Sequence, residues 1–337
     1  MRILVTGGAG YIGSHVALRL VEAGHDVTVL DNLSTGHRWA VPSECTFVEG
    51  STGDEVCLER LFDSRAAFDA VMHFAANTDV GESVLNPAKY YENNTVNTIH
   101  VISAALKAGV KSFIFSSTAA VYGEQNAGIV DEQAQTSPSS PYGHSKLMCE
   151  HALQDFAVAS GDQMNYVILR YFNVAGARPD ARIGQATPNA THLIKVAAEA
   201  AVGRRTGVSV FGTDYDTKDG TCLRDFIHVE DLATAHLCAL SYLADGGRSD
   251  IFNVGYGVPY SVRDVIRSMK QVSGSNFEVV EAARRAGDIS SLAADSRKIQ
   301  SVLGWRPEFN NLNTICDTAY RWEKRLLNGD VAPSAPV

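Results

Sequence analysis

The most constraining stretch of this sequence is Arg2-Ile3-Leu4-Val5-Thr6, a short apolar strand that opens into Gly7-Gly8-Ala9-Gly10-Tyr11-Ile12-Gly13. An amphipathic stretch from Ser14 to about Glu22 follows, stops at Gly24, and gives way to a second strand closed by Asp31. Strand, glycine turn, helix and strand in that order form one β-α-β unit. Glycines at 7, 10 and 13 let bare backbone approach a pyrophosphate that the helix N-terminus faces, and Asp31 can accept from a ribose hydroxyl. An acid at that place favours NAD over NADP, because a 2′-phosphate would be repelled. Arg38 is near enough to keep NADP in view.

The alternation continues. Strands are predicted over 45–48, 69–76, 111–116 and 166–172, with helices over 55–62 and 90–108 between them. The strand at 111–116 delivers Ser116, Ser117 and Thr118 to the carboxyl edge of the sheet, where open α/β sheets bind ligands. The fold class is therefore α/β, a Rossmann-type doubly wound parallel sheet over 1–173 with a smaller C-terminal α/β substrate-binding domain over 174–337. Short strands at 225–229 and 250–254 flank a helix over 231–243, so the chain is expected to return to the first domain at about 226–256. Stretches 174–191 and 212–225, rich in Gly, Pro, Asp and Thr, suit loops over a site, and helices are predicted over 191–202, 295–303 and 312–327. The tail over 329–337 is expected to be loose.

Charge and cysteine usage narrow the function. A net charge of −9 on 337 residues argues against nucleic-acid binding. No run approaches the ~20 apolar residues that span a membrane. Six cysteines without CxxC or regular spacing suit a reduced, cytoplasmic protein with no metal site.

The stretch Ser139-Ser140-Pro141-Tyr142-Gly143-His144-Ser145-Lys146 reads as a helix start, with a serine cap and proline at the first helical position. Tyr142, Lys146, Cys149, Leu153 and Phe156 then advance along one face. A tyrosine on that face could be ordinary core. A lysine on it needs a partner, a ligand or solvent, because burying an unpaired ammonium is costly. Its charge could also lower the pKa of the Tyr142 phenol, which makes the pair a candidate proton-transfer device.

These features resemble the extended short-chain dehydrogenase/reductase family, and within it the enzymes that epimerise UDP-hexoses. The resemblance runs through VTGGAGYIGSH at 5–15, HFAA at 73–76, FSSTAAVYG at 115–123, SPYGHSK at 140–146 and LRYFNVAGA at 169–177. More specific are the later segments FGTDYDTKDGT at 211–221, RDFIHVEDLA at 224–233 and RRAGD at 284–288. The resemblance implies Tyr142 as acid/base, Lys146 on the nicotinamide ribose and Thr118 on the sugar's 4-oxygen. It implies that Gly7, Gly10, Tyr11, Ile12, Gly13, Asp31, Asn32, Ser51 and Thr52 hold the adenosine and pyrophosphate. Phe74, Ala75, Ala76, Asn93, Ser116 and Tyr171 would complete the NAD pocket. Asn173, His192, Leu193, Arg224, Arg285, Asp288 and Leu292 would line the UDP-sugar, the arginines suiting pyrophosphate. Ser51 stands where many relatives carry Asp, Thr78 and His192 also depart from close relatives, and bulky Leu292 would crowd a 2-acetamido group.

The implied activity is interconversion of UDP-glucose and UDP-galactose through a transient 4-keto sugar and tightly bound NAD, by a homodimer. Alternatives are preference for N-acetylhexosamine or pentose substrates, a dehydratase, or an NAD-binding regulator. Dehydratases of the family carry Asp-Glu after the threonine; here Ala119-Ala120 follow Thr118.

Overall fold

The computed structural model describes residues 1–63, 68–125, 128–161, 163–285 and 289–330. Its main sheet has seven strands, all parallel, in the order Asp250–Val254, Asn165–Tyr171, Ser112–Thr118, Ala70–His73, Arg2–Thr6, Asp26–Asp31 and Thr46–Glu49. The chain builds outward from Arg2–Thr6 to one edge and then crosses back to build the other. The order therefore reverses between Arg2–Thr6 and Ala70–His73, and a crevice opens there at the carboxyl ends. Both faces are covered, which is why the strands read as unbroken apolar runs. Ile3 and Val5 pack with the helices Tyr11–Glu22 and Val229–Ala244. Leu4 packs oppositely, with Glu55–Phe62, Asn97–Lys107 and Pro141–Ala159.

Within 226–256 the helix Val229–Ala244 and the strand Asp250–Val254 join this sheet, Val254 lying in register with Tyr171. Phe226–His228 instead pair with Asn173–Ala175 in a second sheet, so the crossing between lobes falls at His228. That second sheet runs Pro259–Ser261, Leu223–His228, Ser291–Ala294, Ile129–Val130. Gly207–Phe211 and Glu278–Ala282 form a separate parallel pair. These strands are short and lie partly in stretches whose composition reads as loop. The connection between Thr118 and Pro141 thus contributes a two-residue strand, Ile129–Val130. Residues 331–337 of the expected loose tail lie outside the described residues.

Two expected boundaries change. The strand expected over 111–116 runs Ser112–Thr118, so Ser117 and Thr118 belong to it. The helix expected over 90–108 is broken by a π-helical turn, Tyr91–Val96, before Asn97–Lys107. Buried Asn94 accounts for the widening, since its side chain accepts from Asn77 N (2.8 Å) and donates to Asn77 O and Ser145 Oγ (both 3.0 Å). π-turns of this kind favour functional sites, and this one carries Asn93.

Two buried aspartates tie the lobes. Asp225 accepts from Tyr256 N (3.0 Å), Gly257 N (2.8 Å) and Ala294 N (3.1 Å). Asp231 accepts from Glu308 N and Phe309 N (both 2.8 Å) and from the Tyr256 hydroxyl (2.5 Å). Asp225→Ala should strand three buried N–H groups and cost about 3 kcal/mol, measured as a lowered urea midpoint; an unchanged midpoint would deny Asp225 this role.

Candidate active site

The glycine loop is built by close approach. Gly7 has φ +72°, and a Cβ on it would lie 2.6 Å from Ala75 N. A Cβ on Gly13 would lie 2.3 Å from the Gly7 carbonyl oxygen, so the helix Tyr11–Glu22 can press against the turn only without a side chain there. That helix starts at Gly10 with no side-chain cap, which suits an N-terminus facing phosphate. Asp31 ends its strand buried, accepting from Ala9 N (2.9 Å) and Leu33 N (2.8 Å), so it fixes the loop. Asn32 Oδ1 accepts from Ser34 N (3.1 Å) and Ser51 Oγ from Gly53 N (3.1 Å), while Thr52 is buried beside them. Tyr11 donates to Gly176 O (2.6 Å) and so links the loop to the second lobe; Ile12 packs on the core. A close backbone cradle, an uncapped helix start and a strand-end acid together fit NAD.

Further along the same edge, Phe74, Ala75 and Ala76 follow Ala70–His73, Ser116 and Thr118 end their strand, and Tyr171 ends the next, in register with Thr118. Asn93 Nδ2 donates to Asn94 Oδ1 (3.1 Å) at the π-turn.

The Pro141–Ala159 helix is capped as its sequence predicts. Ser140 Oγ accepts from Gly143 N (3.2 Å), and Pro141 occupies the first helical position. Tyr142, Lys146, Cys149 and Leu153 are all buried on one face. The Thr118 hydroxyl is close enough to the Tyr142 phenol to favour its charged form, and Lys146 Nζ lies 4.3 Å from the centre of the Phe115 ring. The electrostatics differ from the sequence expectation. Burial pushes the Tyr142 phenol up to about 12, only partly opposed by Thr118. Burial also pushes Lys146 down to about 8, against the pull of Cys149 and Glu150. Within the protein alone, then, desolvation outweighs any lowering of the phenol by Lys146.

On the second lobe, Asn173 Nδ2 donates to Asp225 O (3.2 Å). Arg224 lies in register between Tyr260 and Leu292 and donates to Leu223 O (2.9 Å). Leu292 is buried in a cluster with Ala119, Tyr122 and Phe172. His192 precedes the helix Leu193–Ala201, with its Nδ1 3.2 Å from Gln185 Nε2. Leu193 packs half-buried on the second-lobe core. The Arg285 guanidinium sits 4.5 Å over the Phe211 ring, and Asp288 lies outside the described residues. Among the described residues no cluster of His, Cys, Asp and Glu is arranged to hold a metal ion. None has a helix long and apolar enough to cross a membrane.

Sequence reasoning missed the supports of this site. Glu150, one turn beyond Lys146, takes Arg170 through Nε (3.1 and 3.2 Å) and Nη2 (2.6 Å) and is also held by Ser117. Arg170 further donates to the Tyr122 hydroxyl (3.1 Å), which donates to Asn253 Oδ1 (2.6 Å). His236 lies under Phe74, ring centres 4.8 Å apart, and meets Ser116. A charged residue at an inward helical position, as for Glu150, is the signal that could have found the first; nothing local marks His236.

Comparison with known proteins agrees with this geometry. Residues 3–255 match the NAD dependent epimerase/dehydratase family. The chain is 50% identical over 335 residues to UDP-glucose 4-epimerase of Azospirillum brasilense, covering 99% of this chain and 95% of that protein. It superposes on the UDP-Glc/GlcNAc 4-epimerase of Campylobacter jejuni with TM-score 0.84 at 50% identity, over 96% of this chain and 99% of the other. It superposes on UDP-glucose 4-epimerase of Brucella ovis in complex with NAD with TM-score 0.91 at 43% identity, over 95% and 97%. Gly13→Ala should leave a folded protein that no longer retains NAD, read as loss of dinucleotide released on denaturation; full retention would show that the loop does not need the close approach.

Proposed function

The chain belongs to the NAD dependent epimerase/dehydratase family, and we propose that it interconverts UDP-glucose and UDP-galactose by inverting C4 through a transient 4-keto sugar. The observation that carries this reading is the buried Tyr142–Thr118 hydroxyl pair with Lys146 on the same helix face, at the carboxyl edge shared with the glycine loop. Thr118 orients the sugar's 4-oxygen, and Tyr142 takes and returns its proton. NAD, when bound, supplies a hydride acceptor and donor and, in its oxidised form, a positively charged ring.

Magnitudes support this division of labour. With the phenol at about 12, ionising it at pH 7 costs about 7 kcal/mol, at ~1.4 kcal/mol per pH unit. One positive charge ~4 Å away contributes about 4 kcal/mol at an effective dielectric of ~20. Lys146, at about 8, stays mostly protonated at pH 7, and its field is already part of the phenol's raised value. Further positive charge must accompany the bound reactants, so the base is strong only when the site is loaded.

Arg224, Arg285, Asn173, His192, Leu193 and Asp288 are assigned to the UDP-sugar, the arginines to its pyrophosphate. Leu292, packed against Ala119, Tyr122 and Phe172, narrows the space at the sugar and favours unmodified hexoses. Elimination lacks an acid, because the turn after Thr118 is Ala119–Val121. Six free cysteines and a dinucleotide cofactor fit a cytoplasmic enzyme. The enzyme is a homodimer in this reading: exposed Met148 and Val158 share one stripe of the Pro141–Ala159 helix with His144, His151 and Asp155, and exposed Val96 and Leu85 lie on neighbouring helices.

Incubation with UDP-galactose should yield UDP-glucose without net change in NAD, and faster than UDP-N-acetylglucosamine is converted; strong preference for the acetylated sugar would overturn the hexose assignment. Tyr142→Phe should retain NAD and lose at least a hundredfold in kcat, and wild-type turnover would remove Tyr142 as acid/base. Met148→Glu with Val158→Glu should convert the dimer to monomer in light scattering, whereas an unchanged dimer mass would exclude this face.

A further inference from the structure

The segment from Gln185 to His192 leads into Leu193, and regular structure does not hold it. Among the described residues, 185–191 make no hydrogen bond to other main chain. Side chains from three separate elements take its carbonyls instead. Trp322, on the helix Leu312–Leu327, donates its Nε1–H to Gln185 O (2.9 Å). His37, in the turn after the strand Asp26–Asp31, reaches Ala186 O through Nε2 (3.2 Å). A carbonyl only accepts, so that nitrogen carries the proton. Arg205, beyond the helix Leu193–Ala201, donates from Nη2 to Ala190 O (3.1 Å). Within the segment the Gln185 amide lies 3.2 Å from His192 Nδ1. The backbone also passes through Asn189 at φ +53°, a left-handed conformation that a residue other than glycine holds only at a cost.

Both outer tethers are themselves anchored. The His37 N–H donates to Ala9 O of the glycine loop (3.0 Å), and its ring stacks on Trp39 with centres 5.1 Å apart. Trp39 in turn meets Trp322 at 5.8 Å, so the first-lobe and second-lobe tethers share one aromatic stack. Arg205 Nε is fixed on Glu199, whose other oxygen lies 3.3 Å from the buried Lys195 ammonium, itself bonded to Glu323. The adjacent Arg204 joins the same network through Glu323 (3.1 Å) and makes no hydrogen bond to 185–192 among the described residues. We propose that Arg205 and His37 are positioning residues for the substrate: holding 185–192 from both lobes, they keep His192 and Leu193 where a UDP-sugar meets them and so set its affinity. The inference rests on the assignment of His192 and Leu193 to the UDP-sugar. When a tether is lost, a smaller fraction of the protein has the segment in place, and the apparent Kd rises by the inverse of that fraction. Saturating substrate selects the tethered arrangement again, and Tyr142 stands on a different helix, so kcat is spared.

The test uses NAD-loaded wild type, Arg205→Ala, Arg204→Ala and His37→Phe, with circular dichroism and bound NAD measured on each. The readouts are KM and kcat for UDP-galactose and the calorimetric Kd of a pre-equilibrated UDP-glucose and UDP-galactose mixture. Arg205→Ala should raise KM and Kd about tenfold and change kcat by less than about twofold. Glu199 keeps Lys195 in that variant, so the network does not strand a carboxylate. His37→Phe retains an aromatic ring against Trp39, loses the donor to Ala186, and should raise KM and Kd in the same way. Arg204→Ala removes a neighbouring charge of the same sign and should leave both at the wild-type value. If Arg205→Ala does not fold, His37→Phe decides. A folded, NAD-loaded Arg205→Ala or His37→Phe enzyme with wild-type KM and Kd overturns the proposal. So does an equal loss in Arg204→Ala, which would assign the effect to charge rather than to the tether. A wild type that binds no UDP-hexose would instead overturn the substrate assignment on which the proposal stands.

Discussion

Taking an ammonium and a phenol out of water on one turn of the Pro141–Ala159 helix costs several kcal/mol, and much of the first lobe compensates for it. Lys146 lies over the Phe115 ring and one turn above the Glu150 carboxylate, which raises its affinity for a proton. Glu150 is buried too, and Arg170 on the adjoining strand neutralises it through the Nε/Nη2 edge of its guanidinium. The network continues through Tyr122 and Asn253 to the Val130 carbonyl, so it crosses three strands and a helix. A buried carboxylate so fully paired leaves little freedom to the helix that carries Tyr142 and Lys146. The placement of the proton-transfer groups is thus inherited from an ion pair that touches no substrate.

The second lobe is joined by a different device. Asp225 and Asp231 accept main-chain N–H groups from loops near 256, 294 and 308, and Tyr256 links the two through its hydroxyl and backbone. Alternation along the strand Leu223–His228 turns Asp225 inward and leaves Arg224 on the other face, between Tyr260 and Leu292. A motif that reads as a sugar-nucleotide signature is therefore divided between the proposed binding residue Arg224 and architecture, through its aspartates.

Legibility in the sequence followed the range of the interactions. The glycine loop, the strand-end acid and the capped helix are local, so 5–15, Asp31 and 139–146 could be read from residue types and spacing. Short strands such as Ile129–Val130 and Ser291–Ala294 were not legible, because each is stable only on a partner far away in the chain. The π-turn at Tyr91–Val96 escaped for the same reason, its cause being hydrogen bonds from Asn94 to residues 77 and 145.

The sequence by itself determined the β-α-β cradle, the chemistry of its cofactor and the helix face that carries Tyr142 and Lys146, since backbone sterics and helical period act over a few residues. Tertiary structure decided the electrostatics of that face. Whether Lys146 or burial dominates the Tyr142 phenol depends on how much water the packed lobes exclude, and burial dominates. It also decided which hidden groups stand behind the site, because Glu150 meets Arg170, and His236 meets Ser116, only once a helix packs on a strand 20 or 120 residues away in the chain.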